Sequence, residues 1–360
     1  MRDYEDTFAT PVLPEAPMRH RFALLAVPVL LLGLLPGSVS ADPSNRGSAR
    51  HQEAVAFWTP ERIRSAIPRD ITFDPADGFV VAGPGANRGK PQPKPTPTPT
   101  PPPPDGTVTG APWTADDAVL AGTGRVFFVM GAFLYSCSGT VATDGRADYS
   151  LVLTAGHCVI DRGKFATMWT FIPGYDTSPV AYNDCTSARY GCWTADALFV
   201  DSGFASQKRF NNTAVQHDFA FALVGPGGKT SVNPSLETAV GGSYGITFSG
   251  PAIGSTLSAF GYPAGAPYNG TDLTYCSGPI GQDPNTSNTT WSMACDMTGG
   301  SSGGPWLSGD PTTFAGATLR SLNSYGYSGV DNMYGPKFNS STEAVYNAAN
   351  GTATSNTIVP

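Results

Sequence analysis

The chain has 360 residues, room for one or two domains, and only 14% of them are charged, with a net charge of −7 that argues against a nucleic-acid partner. With 42 Gly and 33 Pro, the composition fits an all-β, loop-rich protein. Six Cys, all between Cys137 and Cys295, point to three disulfides in one domain made in an oxidising compartment. A zinc site is disfavoured, because no Cys-x-x-Cys pair is present and the chain has four His.

Residues 1–41 read as an N-terminal extension and secretory signal peptide. Arg19, His20 and Arg21 form a basic head, Phe22 to Leu35 an apolar run broken by Pro28, and Ser38, Ser40 and Ala41 a small-residue cleavage region. The run is short for a spanning helix, which needs about 17–25 residues. A retained signal anchor is the alternative, and the polar stretch before Met18 makes Met18 a second candidate start.

Residues 42–90 are polar with one amphipathic patch, Ala54–Ile67, where Thr59 suits an N-cap and Pro60 the first helical position. A helix of two turns cannot fold alone, so it packs on the next domain or stays mobile. This is the place of a pro-segment in a secreted enzyme; a spacer is the other reading. Residues 91–104 are a Pro/Thr-rich linker. Its proline density favours a polyproline II rod of about 43 Å, which marks a domain boundary. The threonines can carry O-linked sugar, and such a rod suits association with the cell envelope.

Beyond Thr109, short apolar runs alternate with turn residues, among them Arg125–Met130, Ser150–Thr154, Asp196–Val200, Asp218–Val224 and Thr256–Tyr262. Such spacing indicates an all-β sandwich or barrels rather than α/β. One short C-terminal helix is expected from Ser340 to Asn350, with Ser341 as cap and Glu343 in its first turn.

Three stretches carry chemistry. Gly299-Gly300-Ser301-Ser302-Gly303-Gly304-Pro305 reads as a strained turn with an exposed serine and amides free to face one point. Leu153-Thr154-Ala155-Gly156-His157-Cys158 sets a histidine directly after a strand. His217-Asp218-Phe219-Ala220 sets a carboxylate at the head of an apolar strand, where a buried Asp needs a partner and a His N–H supplies one. Together they make a nucleophile (Ser302), a base (His157) and an orienting acid (Asp218). An α/β-hydrolase elbow also fits Gly300-x-Ser302-x-Gly304, but that fold needs its His after the Ser, and no His follows residue 217. The cysteines allow 15 pairings. The expected set is Cys137–Cys158, which would hold the His157 loop and contribute on the order of 3 kcal/mol, Cys185–Cys192 around a small surface loop, and Cys276–Cys295 before the nucleophile turn.

The chain resembles the chymotrypsin-like serine peptidases, on Thr154-Ala155-Gly156-His157-Cys158 and Ser302-Gly303-Gly304-Pro305, and looks closest to the bacterial branch that includes the glutamyl endopeptidases. The resemblance covers roughly residues 110–348, so that 110–350 is expected to be the peptidase domain. It implies two six-stranded antiparallel β-barrels with the active site between them. It also implies a general base (His157), an orienting acid (Asp218), a nucleophile (Ser302) and an oxyanion hole made by the backbone N–H groups of Gly300 and Ser302.

There are departures from the family pattern. Ser301 stands where many members have the Asp that pairs with a new N-terminus, and no Ile/Val-Val-Gly-Gly start follows the linker, which argues against insertion-type activation and favours covering of the site if residues 42–110 inhibit. Asn323 stands where glutamyl endopeptidases carry a pocket His, which argues against a preference for Glu. Asp296, six residues before Ser302, stands where trypsin-like members bind Arg or Lys. Asn323, Ser324, Gly326 and Asp296 are the candidate substrate-binding residues. The expected protein is a secreted, trypsin-like serine endopeptidase and zymogen, a monomer acting on protein or peptide substrates. It needs no cofactor or metal, and contacts no nucleic acid and no membrane after signal removal. A catalytically inactive binding module on the same fold is the alternative.

Overall fold

Residues 43–74, 78–81, 106–175, 184–229 and 235–360 are described by a computed structural model, all within the unit Ala41–Pro360. The expected signal peptide and Pro/Thr-rich linker lie outside the described residues.

The N-terminal part supplies helices α1 (Pro43–Phe57) and α2 (Pro60–Ser65) and strands β1 (Ile67–Pro68), β2 (Ile71–Asp74) and β3 (Gly78–Val81). The domain then runs through β4 (Val108–Pro112), α3 (Ala118–Gly122), β5 (Thr123–Met130), β6 (Phe133–Ala142), β7 (Ser150–Thr154), β8 (Thr167–Pro173), β9 (Trp193–Asp201) and β10 (Ala220–Val224). It continues with β11 (Thr256–Gly261), β12 (Thr274–Pro279), β13 (Thr290–Ala294), β14 (Pro305–Gly309), β15 (Ala317–Leu322), β16 (Tyr325–Tyr327), β17 (Val330–Pro336), α4 (Ser340–Asn350) and β18 (Thr357–Val359).

Six strands close the first barrel in the order β6–β5–β8–β9–β10–β7, with β7 pairing back onto β6. The runs that read as continuous apolar stretches are buried along their whole length. In β10, Ala220 to Val224 are buried at each position, because one face fills the barrel while α4 covers the other through Phe221 and Tyr346. The second half has two six-stranded sheets packed over Leu257, Ala259, Trp291, Met293, Trp306 and Met333. One contains β15–β14–β11–β12–β4, the other β13–β17–β16–β2–β3. This is the all-β, two-barrel class, with few helices.

Two expectations need correction. The C-terminal helix is capped by Asn339, not Ser341. The Asn339 side chain accepts from the N–H of Ser341 (2.8 Å) and Thr342 (3.4 Å), and the Thr342 hydroxyl accepts from the Asn339 N–H (3.3 Å), so the turn closes two residues earlier. The N-terminal segment also holds more structure than its polar composition indicated. A 15-residue helix precedes Trp58, and the amphipathic patch docks on the first barrel. Trp58 is 1% exposed, packs on Phe127 and donates its indole N–H to the Met168 carbonyl (2.8 Å). Ile63, Ala66 and Ile67 join the same core.

Candidate active site

His157 sits on a single 3₁₀ turn, Gly156–Cys158, directly after β7. The Cys137–Cys158 disulfide ties that turn to β6, and Cys185–Cys192 and Cys276–Cys295 close the remaining pairs. Asp218, fully buried at the head of β10, grips His157 twice. Its Oδ1 accepts the backbone N–H of His157 and its Oδ2 faces Nδ1, both at 2.8 Å. A carboxylate at Nδ1 selects the tautomer with the proton there and leaves Nε2 as the basic lone pair. The Ser324 hydroxyl, from the second half, donates a short hydrogen bond to the same Oδ2.

Ser302 lies on the turn between β13 and β14. Gly303 there has φ +84°, and a Cβ would come within 2.3 Å of Thr154 Oγ1 and 2.4 Å of the Ser138 carbonyl, so the turn presses on the His157 strand only because this residue is glycine. Gly300 is also left-handed, at φ +100°. Ser138 locks the turn to the first barrel. Its N–H donates to the Ser302 carbonyl (2.7 Å) and its hydroxyl to the Gly300 carbonyl (2.8 Å). Ser301 is turned inward, its hydroxyl on the Thr298 carbonyl (2.8 Å). The backbone N–H groups of Gly300 and Ser302 make no hydrogen bond among the described residues.

The candidate specificity residues separate. Ser324 reaches Asp218, and the Gly326 backbone pairs with Thr72 of β2. The Asn323 side chain is spent in the core behind the turn. Its Nδ2 donates to the Phe260 and Ser301 carbonyls (2.8 and 3.0 Å), and its Oδ1 accepts the Trp306 indole N–H (2.7 Å). Asp296 accepts the Tyr268 hydroxyl at 2.5 Å beside Gly110 of β4, and burial holds its carboxyl above the ordinary value.

Three features had no strong signal in the sequence. One is Ser138, an ordinary strand serine. Another is Asp283, fully buried, whose Oδ2 accepts the hydroxyls of Tyr325 (2.6 Å) and Tyr327 (2.7 Å). Burial and these bonds hold both phenols above their ordinary range and fix the aromatic wall of the cleft. The third is Arg69, whose carbonyl accepts the Ser302 hydroxyl (3.2 Å) while its Nε donates to the His157 carbonyl (2.7 Å). The alternation of Ile71-Thr72-Phe73 was the available hint of a strand there.

Solved structures place this architecture. Protease Anisep from Arthrobacter nicotinovorans matches with 34% identity and a TM-score of 0.56, covering 68% of this chain and 100% of that one. The thermostable serine protease AL20 from an extremophilic microorganism matches with 35% identity and a TM-score of 0.55, covering 66% and 100%. A Glu endopeptidase in complex with MPD matches at 20% identity and a TM-score of 0.50, covering 68% and 97%, a likeness of fold alone. No protein-family model and no curated protein matches the sequence. The chain belongs to the chymotrypsin-like serine proteases.

Proposed function

We propose that the protein is a secreted serine endopeptidase that cleaves peptide bonds through an acyl-enzyme on Ser302. The observation that carries this is the buried Asp218–His157 pair, with one residue, Arg69, hydrogen-bonded to both His157 and Ser302.

In the reaction, His157 Nε2 takes the Ser302 proton as Oγ attacks the substrate carbonyl carbon. The Gly300 and Ser302 N–H groups receive the oxyanion. Collapse expels the amine, which takes its proton from His157, and water then repeats the sequence on the ester. Asp218 holds the tautomer and balances the imidazolium. Ser324 donates to Asp218 and so acts as a positioning residue. No step requires a metal or a cofactor. Preference for Glu is not part of this proposal, since both Asn323 amide hydrogens are committed to backbone carbonyls.

We further propose the chain order of a secreted precursor: signal peptide 1–41, pro-segment 42–90, Pro/Thr-rich linker 91–104 and peptidase domain 110–350, acting as a monomer on protein or peptide substrates. Three disulfides support an extracellular setting. Among the described residues no helix is long and apolar enough to cross a membrane.

The test uses a chain whose linker carries the recognition sequence of an unrelated site-specific protease. After cutting and removal of the N-terminal piece, a fluorophosphonate should label Ser302, and the Ser302→Ala variant should take up no label. Equal labelling of the two proteins, or of neither, would sink the peptidase reading.

A further inference from the structure

The residues upstream of the peptidase domain pass directly through its cleft. Ile67 and Pro68 add in parallel to β6, opposite Tyr135 and Ser136, and the Arg69 N–H donates to the Ser136 carbonyl (2.9 Å). The Arg69 guanidinium is buried over the Tyr135 ring, 4.9 Å from its centroid and 3.6 Å from the Asp161 carboxylate. Asp70 lies against Gly299, where a Cβ on that glycine would meet its own Cβ at 2.4 Å. Ile71 has no exposed surface and fills an apolar recess made by Val215, Tyr325 and Tyr334. Thr72 and Phe73 then pair in parallel with Gly326 and Tyr327, and the Phe73 carbonyl accepts the Ser328 N–H (3.0 Å). One extended segment therefore joins the strand edges of both halves and crosses the nucleophile at the Arg69–Asp70 bond.

That bond is seated where it cannot be attacked. The Ser302 hydroxyl donates its proton to the oxygen of the Arg69 carbonyl, whereas attack needs the hydroxyl oxygen aimed at the carbonyl carbon and its proton given to the base. The base is not engaged, because His157 Nε2 is buried without a hydrogen-bond partner. The oxyanion donors are not engaged either, since neither the Gly300 nor the Ser302 N–H bonds the Arg69 carbonyl. The groups that acyl transfer requires are thus present, covered and unaligned.

We infer that residues 43–74 are this enzyme's own inhibitor, a tethered segment that fills the cleft in a register the enzyme cannot cut. The inference rests on the peptidase reading above and adds its regulation. It has two consequences. Activation does not proceed by self-cleavage at the bond over Ser302; it requires a cut elsewhere in the chain. The cut alone does not activate either. Trp58, Ile63 and Ile67 anchor the segment on the first barrel independently of the linker, so cutting converts a tethered inhibitor into a dissociable one whose grip depends on concentration.

The experiment follows fluorophosphonate labelling of Ser302 in the chain with the cuttable linker. The uncut protein should label more than about 100-fold more slowly than cut and separated enzyme, the ratio expected when the cleft is covered about 99% of the time. Cut but unseparated protein should stay slow when concentrated and recover on dilution. The N-terminal piece should keep its Arg69–Asp70 bond by mass spectrometry after prolonged incubation. An Ile71→Asp variant, whose charge cannot enter the apolar recess, should label at least tenfold faster while uncut. Uncut protein that labels as fast as separated enzyme, or a piece ending at Arg69, would overturn the inference and leave the peptidase reading standing. Failure of every form to label would sink both.

Discussion

Asp218 makes three hydrogen bonds, two with different parts of His157 and one with Ser324. Oδ1 holds the His157 backbone, while Oδ2 holds the ring through Nδ1 and also accepts from Ser324. In Asp218→Asn an amide faces Nδ1, which then favours the tautomer with its proton on Nε2, where the lone pair is needed. Turnover of the separated enzyme should fall by about 10⁴-fold with the fold intact. Steady-state kinetics on a chromogenic peptide, with thermal unfolding as the control for folding, measures this. A loss of less than about tenfold would remove Asp218 from the orienting role. At this scale the sequence was legible where a candidate residue sits in a local motif, as His157 does between Gly156 and Cys158 and Ser302 does among its glycines. It was not legible where function depends on direction. Asn323 and Ser324 are adjacent, yet one side chain enters the core behind the turn and the other reaches Asp218 across the cleft. The partner of Asp296 is Tyr268, 28 residues away, and no spacing rule connects them.

Helix α1 is the element the sequence concealed, whereas α2 was legible from Thr59 and Pro60. A pattern with few apolar residues conceals α1 because the buried face is small, chiefly Ala54 and His51. His51 packs against β9 and the loop after β10, with Thr194 Oγ1 3.5 Å from Nδ1 and Gly227 and Gly228 beside the ring. The nearby charges are Arg50 and Asp196, 3.9 Å apart. Burial holds the imidazole below its ordinary 6.5. The docked helix therefore binds a proton less readily than the released helix. Its docking is at full strength above pH 6.5 and weakens as pH falls through that value, by up to about tenfold for each unit of depression. Asp70 has the opposite sign. Burial holds its carboxyl above 3.8, so in that lower range acid favours docking. Amide hydrogen exchange across residues 49–58, corrected for intrinsic rates, should show protection falling from pH 7.5 to 5.5 in the parent. The His51→Gln variant should show a flatter profile, and equal profiles would exclude His51 as the titrating group.

The proposed chemistry is divided between two halves, with His157 and Asp218 on the first barrel and Ser302 and Ser324 on the second. Among the direct ties across the cleft are Ser138 to the turn of Ser302 and to the Tyr262 N–H, and Ser324 to Asp218. In the uncut chain residues 67–73 add a further tie, pairing with β6 on one side and β16 on the other. An inhibitor of this kind also braces the domain, since whatever binds only the native state stabilises it. Coverage of about 99% corresponds to about 2.7 kcal/mol. For a domain of this size that is roughly 5–10 °C in unfolding temperature. Calorimetry should therefore rank the uncut chain above cut and separated enzyme by about that interval. The cut, unseparated mixture should lie between them and move upward with concentration, because the brace has become a bimolecular ligand. Coincident midpoints in all three samples would mean that the segment does not hold the native domain at the inferred coverage. A midpoint of the mixture that ignores concentration would mean that the piece, once cut, no longer exchanges with solution.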